Sequence, residues 1–231
     1  GNTVNYSGAA QTAKVITYDN LTLSGSGAKT FATTPTVNAV LSLEGTATVV
    51  VTTGVVTYGS SATLQYSTTT ARTASSEEWI TPFAATGGVI IASTGNVTLN
   101  EAKVFNASVP LTINSGATLS TNATSNFALT FNGNFGNSGT LSAGSSAISI
   151  SGTATQSIGG FTTTGLLSMT KTAGTATFTG NVSGAGLTIN GSGGTLNLGT
   201  GLTHTFTGSW TRTAGTLNGG SSTINFSLTG T

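Results

Sequence analysis

The chain of 231 residues contains no cysteine, so neither a disulfide framework nor a thiolate metal site can hold it together, and burial and backbone hydrogen bonds must do so instead. Charge is scarce as well. Six basic and five acidic residues give a net charge of +1, too little positive potential for a nucleic-acid groove, whose affinity rests on Lys and Arg neutralising phosphates. Nucleic acid is therefore excluded as an expected partner. No apolar run approaches the roughly 18 residues of a membrane span, and Gly1-Asn2-Thr3 carries neither a basic leader nor an initiator methionine. This start reads as that of a mature or excised piece. The hydrophobic share of 36% is low, but low hydrophobicity signals disorder mainly when net charge is high. A folded chain is expected.

What is present in quantity is glycine, 33 in all, and threonine, 50 in all, and both are distributed in repeats. Val4-Asn5-Tyr6-Ser7, Leu64-Gln65-Tyr66-Ser67, Ile148-Ser149-Ile150-Ser151 and Ile224-Asn225-Phe226-Ser227 share one pattern. A second landmark begins at Leu41, Leu111 and Leu187, and a third comprises Lys29-Thr30-Phe31, Lys103-Val104-Phe105 and Ala176-Thr177-Phe178. Three imperfect modules, 1–60, 61–144 and 145–220, and the start of a further one at 221–231 fill one continuous array.

Inside a module, runs of three to five residues alternate apolar positions with Thr, Ser or Asn, the period of half-buried strands. Gly-Ser-Gly, Asn-Gly and Gly-Gly turns separate them, and no amphipathic helix is evident. Thr-Leu pairs place Leu64, Leu119, Leu141, Leu196 and Leu217 in one series. Its short steps, Leu119 to Leu141 and Leu196 to Leu217, match the length of a single solenoid coil. The expected fold is all-β, a parallel β-solenoid or β-helix. Ten or so coils would form a rod on the order of 50 Å long. Tandem antiparallel β-sandwich repeats are the alternative, although sandwich strands are usually longer than these.

Val4-Asn5-Tyr6-Ser7-Gly8 with Gln11-Thr12, Tyr18 to Ser24, Ser75 to Trp79 and Leu111 to Leu119 resemble the repetitive Thr/Gly-rich stretches of adhesin-like surface exoproteins of Bacteroidota, predicted β-helical proteins often exported by the type IX pathway. The resemblance spans nearly the whole chain and is carried by structural repeats. It implies an extracellular, cell-surface or secreted location and a structural role, and it supplies no catalytic signature. The C-terminal sorting domain of such exports is not among these residues.

Chemistry-bearing residues are few. Glycoside hydrolysis needs two carboxyl groups roughly 5 to 9.5 Å apart, yet the acids are only Asp19, Glu44, Glu77, Glu78 and Glu101, with none in the whole second half of the chain. Glu77 and Glu78 are adjacent and on a strand would face opposite ways. His204 is the single histidine, flanked by threonines, and is read as a satisfied or solvent-facing imidazole rather than a base. No calcium repeat surrounds Asp19, and no Lys-Ser/Thr follows Gly191 to Gly194 to make a phosphate cradle. The expectation is a non-enzyme with no cofactor and no metal.

One segment breaks the pattern: Ser75-Ser76-Glu77-Glu78-Trp79-Ile80-Thr81-Pro82-Phe83. Read as an excursion from the rod, it offers Glu78 and Trp79 as a surface contact for a glycan. Read structurally, Trp79, Ile80 and Phe83 anchor a loop or cap a coil while the two glutamates stay in water. Trp210 aligns with Phe135 and is expected at a core or corner position. Ice binding would need Thr-x-Thr pairs in vertical register, and Thr46/Thr48, Thr175/Thr177, Thr203/Thr205 and Thr211/Thr213 are irregularly spaced. Asn-x-Ser/Thr sequons, as at Asn5 or Asn106, arise by chance in this composition.

The function expected is a non-enzymatic extracellular structural or adhesive repeat segment of a fibre, stalk or filament, with glycan or ice binding as the alternative. Neither end carries a charged, helical or Pro-rich cap. The expected partners are therefore neighbouring copies of the same repeat, covalently continued or head-to-tail, and surface glycans.

Overall fold

The computed structural model describes residues 1–227. The end of the further module expected at 221–231 lies outside the described residues. Every described strand pairs in parallel, and no helix forms among the described residues. From Thr63 onward the chain visits three sheets in rotation. Gly88–Ile91 belongs to the first, Asn96–Thr98 to the second and Lys103–Val104 to the third, after which Leu111–Ile113 returns to the first. This is a three-faced β-solenoid of about 11 turns. The sandwich alternative needs antiparallel ladders, and the described residues contain none.

Register gives the coil length. In the first sheet Val4 pairs with Leu21, Leu21 with Leu41, Leu41 with Leu64, Leu64 with Val89 and Val89 with Leu111. The coils are thus unequal, shortest at the start of the chain and longest between Leu64 and Val89. Leu119 pairs with Leu141 and Leu196 with Leu217, so the short leucine steps in the sequence are single coils.

The long modules behave differently. Val4 to Leu64 is three whole coils, by way of Leu21 and Leu41, and returns to one interior column. The later steps contain no whole number of coils, and the landmark changes face. Ile148 lies in the third sheet and Ile224 in the second. Likewise Leu41 and Leu111 share the first sheet whereas Leu187 is in the third. The coil, not the module, is the unit of structure.

Alternation does the rest. Leu21, Leu41, Leu64, Val89 and Leu111 point inward and are buried, while Thr22, Ser42, Gln65, Ile90 and Thr112 between them form the outer column. Corner glycines are required where coils nest. Gly25 and Gly45 hold φ of +73° and +58°, and a Cβ on Gly45 would lie 2.5 Å from the Gly25 carbonyl oxygen of the coil below. The first three coils close on a separate three-stranded sheet, Gln11–Thr12, Ala28–Phe31 and Thr48–Val51, and their first-sheet strands Thr17–Leu23 and Thr36–Glu44 are long, with a register shift between Tyr18 and Asn20.

Candidate functional site

The pattern-breaking segment does not leave the rod. Val56 N–H donates to the Glu77 carbonyl at 2.8 Å, and Phe83 N–H donates to the Val104 carbonyl at 2.8 Å. Ser75 to Phe83 is thus a rung stacked between Thr57–Tyr58 and Lys103–Val104, at the end of the third sheet. Trp79 is 0% exposed and Glu78 1% exposed. The expectation that this pair forms a surface contact is therefore corrected: neither side chain reaches a ligand outside the rod. The physical reason is the cost of leaving Trp79 and Phe83 in water next to an interior that lacks a rung. The anchoring role expected for Trp79, Ile80 and Phe83 is what the structure contains, but Glu78 is inside with them.

A buried polar knot surrounds the tryptophan. The Glu78 carboxylate accepts from Ser75 N–H at 2.8 Å, from the Ser75 hydroxyl, and from the Tyr66 hydroxyl at 3.1 Å. Tyr58 donates its hydroxyl to the Glu78 carbonyl at 2.7 Å. The Lys103 ammonium donates to the Trp79 carbonyl and to Glu101 at 2.9 Å, and stands 5.6 Å from the Trp79 ring centroid. Arg72 lies 5.3 Å from the Tyr66 centroid and donates to the Ala47 carbonyl at 2.9 Å.

Burial governs the titration of these groups. It pushes the Glu78 carboxyl above its ordinary value, against the bonds from Ser75 and the charge of Arg72. Burial lowers the Lys103 ammonium, with Glu101 opposing the shift. The Tyr58 and Tyr66 hydroxyls are driven up by burial and by the charge of Glu78. Both carboxylate oxygens of Glu78 are occupied by groups of its own coil, Ser75 and Tyr66, while Tyr58 of the coil below holds its backbone carbonyl. The arrangement can fasten coils together, and it presents no free acid, base or nucleophile to solvent.

Sequence reasoning did not find the interior lysines. Lys29, Lys103 and Lys171 are each 0% exposed. Lys29 pairs in register with Val49, and Lys103 with Leu129, so both stand in columns that aliphatic side chains continue. Each ammonium is spent on backbone carbonyls left over at the corners. Lys29 donates to the Gly8 carbonyl at 2.6 Å and to those of Ala9 and Ser26. Lys171 donates to the Ala154 carbonyl at 2.7 Å and to the Gln156 side-chain oxygen at 2.6 Å. A signal was available, since in Lys29-Thr30-Phe31 and Lys103-Val104-Phe105 the lysine and the phenylalanine share the inward face.

His204 is buried in the second sheet, in register with Ile224. Its Nδ1 accepts from Val182 N–H at 3.1 Å, which leaves Nε2 to donate to the Leu198 carbonyl at 2.8 Å. Both ring nitrogens are engaged by backbone, the satisfied state expected from the sequence. Trp210 is half-buried in the third sheet against Phe206 and Phe226, with ring centroids 4.9 and 5.6 Å away. Among the described residues no three His, Asp or Glu side chains are grouped to hold a metal ion. A shallow groove of about 200 Å³ is lined by Ala10, Gln11, Thr12, Ala28 and Thr30 on the three-stranded sheet, and no ionisable side chain lines it. No family model, curated protein or solved structure matches the chain.

Proposed function

We propose that this chain is a non-enzymatic extracellular segment of a surface fibre, stalk or filament, akin to the Bacteroidota exoproteins it resembles. One observation carries the reading. Lys29, Glu78, Lys103, Lys171 and His204 are buried and act as internal fasteners, while the outer columns are mostly small uncharged residues. Such a surface suits mechanical reach and many weak contacts rather than one strong site. Among the described residues, Thr3–Tyr6 and Thr223–Phe226 pair on one side only, and Phe226 is 51% exposed. Stacked strands with open edges favour another coil, so the partners proposed are neighbouring repeats, covalent or head-to-tail, with surface glycans as weaker contacts. Electron microscopy of the native protein tests this. Extended rods or filaments support it, and short, isolated, monodisperse particles overturn it.

A second reading has its own observation. In the second sheet Thr98, Ser120 and Ser142 stack in register, Ser142 stacks on Thr162, and Ser183, Thr205 and Asn225 continue the same outer column. The vertical register that Thr-x-Thr spacing alone did not reveal is present on this face. An uncharged hydroxyl array of this kind can order water. A thermal-hysteresis measurement decides it: activity that falls on Ser142→Lys supports ice binding, and no hysteresis excludes it.

A further inference from the structure

Neighbouring coils are joined face by face, and one junction inside the rod differs from the others. Between the coil that contains Leu41 and the coil that contains Leu64 only the first sheet continues, with Val40 to Glu44 in register with Thr63 to Ser67. On the second face Thr48–Val51 ends the three-stranded sheet and Arg72–Thr73 starts another, and no ladder joins the two. On the third face Thr57–Tyr58 pairs back to Thr36 and Val37, and Ser75 to Phe83, stacked on its other side, forms no strand. Every other junction whose three faces are described is crossed on all of them, by a ladder or, between Phe83 and Phe105, by a single bridge. We infer that this junction is a hinge built into the rod, which opens on the second and third faces about the unbroken first sheet before the other described junctions give way.

The two interrupted faces are closed by a few separate bonds, most of them from side chains. On the second face Thr68 donates its hydroxyl to the Gly45 carbonyl at 2.8 Å, and Arg72 Nη2 donates to the Ala47 carbonyl at 2.9 Å. On the third, the Tyr58 hydroxyl donates to the Glu78 carbonyl at 2.7 Å and Val56 N–H to the Glu77 carbonyl at 2.8 Å. At the corner that follows, Thr86 N–H donates to the Ser60 carbonyl at 2.8 Å. Tyr58 also packs on Phe83, with ring centroids 5.0 Å apart, so the closed form is the resting one.

Cooperative strand pairing is what makes a solenoid junction hard to open, and here two faces out of three lack it. Segments with few ladder bonds open locally at lower free energy than the core to which they belong. The first sheet, with five residues paired on each side, holds the two blocks together while the other faces part. Opening tilts residues 1–60 toward the first sheet and gives the rod one defined point of bending. None of these residues lies at an end of the stack, so a further coil added at either end leaves the hinge as it is.

Hydrogen exchange of the native chain, followed residue by residue by NMR, tests this. The Val56 amide donates across the hinge, whereas Phe105 and Thr121 donate across regular junctions to the Thr130 and Ser142 carbonyls. All three residues are buried. Val56 should exchange at least about tenfold faster than Phe105 and Thr121, as expected for an amide released by local opening. Tyr58→Phe, which removes the hydroxyl bond to Glu78, should speed Val56 further and leave the other two unchanged. Spin labels give a second readout, and the absence of cysteine confines them to chosen positions. A pair on Thr48 and Thr73, exposed on the two sides of the hinge, should show a broader distance distribution than the in-register pair Thr118 and Thr140. Exchange at Val56 as slow as at Phe105 and Thr121, an equal effect of Tyr58→Phe on all three, or equally narrow distributions for the two label pairs would each overturn the inference.

Discussion

Two stretches of the same rod are built in different ways. Around Ser75 to Val104 the interior carries a carboxylate, two cationic side chains and two tyrosine hydroxyls packed about one tryptophan. Further along, between Leu111 and Ile150, the interior is almost wholly apolar: Leu111, Ile113, Leu119, Leu129, Phe131, Phe135, Leu141, Ile148 and Ile150 are all buried. There the strands are short and regular, and Phe131 stacks on Phe135 with centroids 4.6 Å apart. The contrast teaches where polar groups are needed inside a solenoid. An apolar column continues by itself wherever each strand lies squarely on the last. Where a rung is irregular, its backbone groups miss the ladder, and buried side chains must satisfy them.

The largest effect expected from breaking this contrast is at Trp79. Trp79→Ala opens the knot and leaves a cavity beside Phe105 and Tyr66, at a cost of about 3–5 kcal/mol in chemical denaturation. In the apolar stretch, Leu119→Ala should cost about 2–5 kcal/mol, without perturbing tyrosine or tryptophan fluorescence. Lys171→Met removes the donor to Ala154 and Gln156 while keeping the stem, so the loss is that of unmet carbonyls, about 1–3 kcal/mol. If Lys171→Met were stabilising, the interior lysines would be tolerated rather than needed.

A smaller effect should appear in pH dependence. The Glu78 carboxyl is raised in the fold above its ordinary value of 4.5, so the native state holds that proton more tightly than the unfolded chain. Its contribution is fully present below pH 4.5 and is lost as pH rises through the native value. Stability therefore declines on leaving acid through this group, opposite to ordinary acid denaturation, and Glu78→Gln should flatten the profile. Lys103 and Lys171, both lowered by burial, act at the alkaline end, where stability recovers as pH approaches the ordinary lysine value. The smallest effect belongs to the outer columns. Thr140→Val on the exposed second sheet should shift stability by no more than about 0.5 kcal/mol.

The same contrast explains what could be read from the sequence. Alternation and the step from Leu119 to Leu141 belong to regular coils, and there the strands, the parallel stack and the inward Leu and Ile positions follow from pattern. The long modules were legible as repeats but not as geometry, because a fractional number of coils moves Ile148 and Ile224 to other faces. At Ser75 to Phe83 the anchoring aromatics were legible, but the inward turn of Glu78 was not. A glutamate pair beside a tryptophan carries the marks of an exposed loop unless the missing rung it fills is known. The inward lysines share that difficulty, since what calls for them is a set of corner carbonyls that only the fold brings together.

One parallel stack runs through both stretches at a constant rise, and a pair of electron spin-label distances tests it directly. Asn5 and Thr112 are separated by five coil steps through Thr22, Ser42, Gln65 and Ile90 on the first sheet. Thr98 and Thr205 lie the same five steps apart on the second, through Ser120, Ser142, Thr162 and Ser183. Both pairs should give about 24 Å, five rises of roughly 4.8 Å. Two unequal distances, or either one far from that value, would contradict a continuous solenoid.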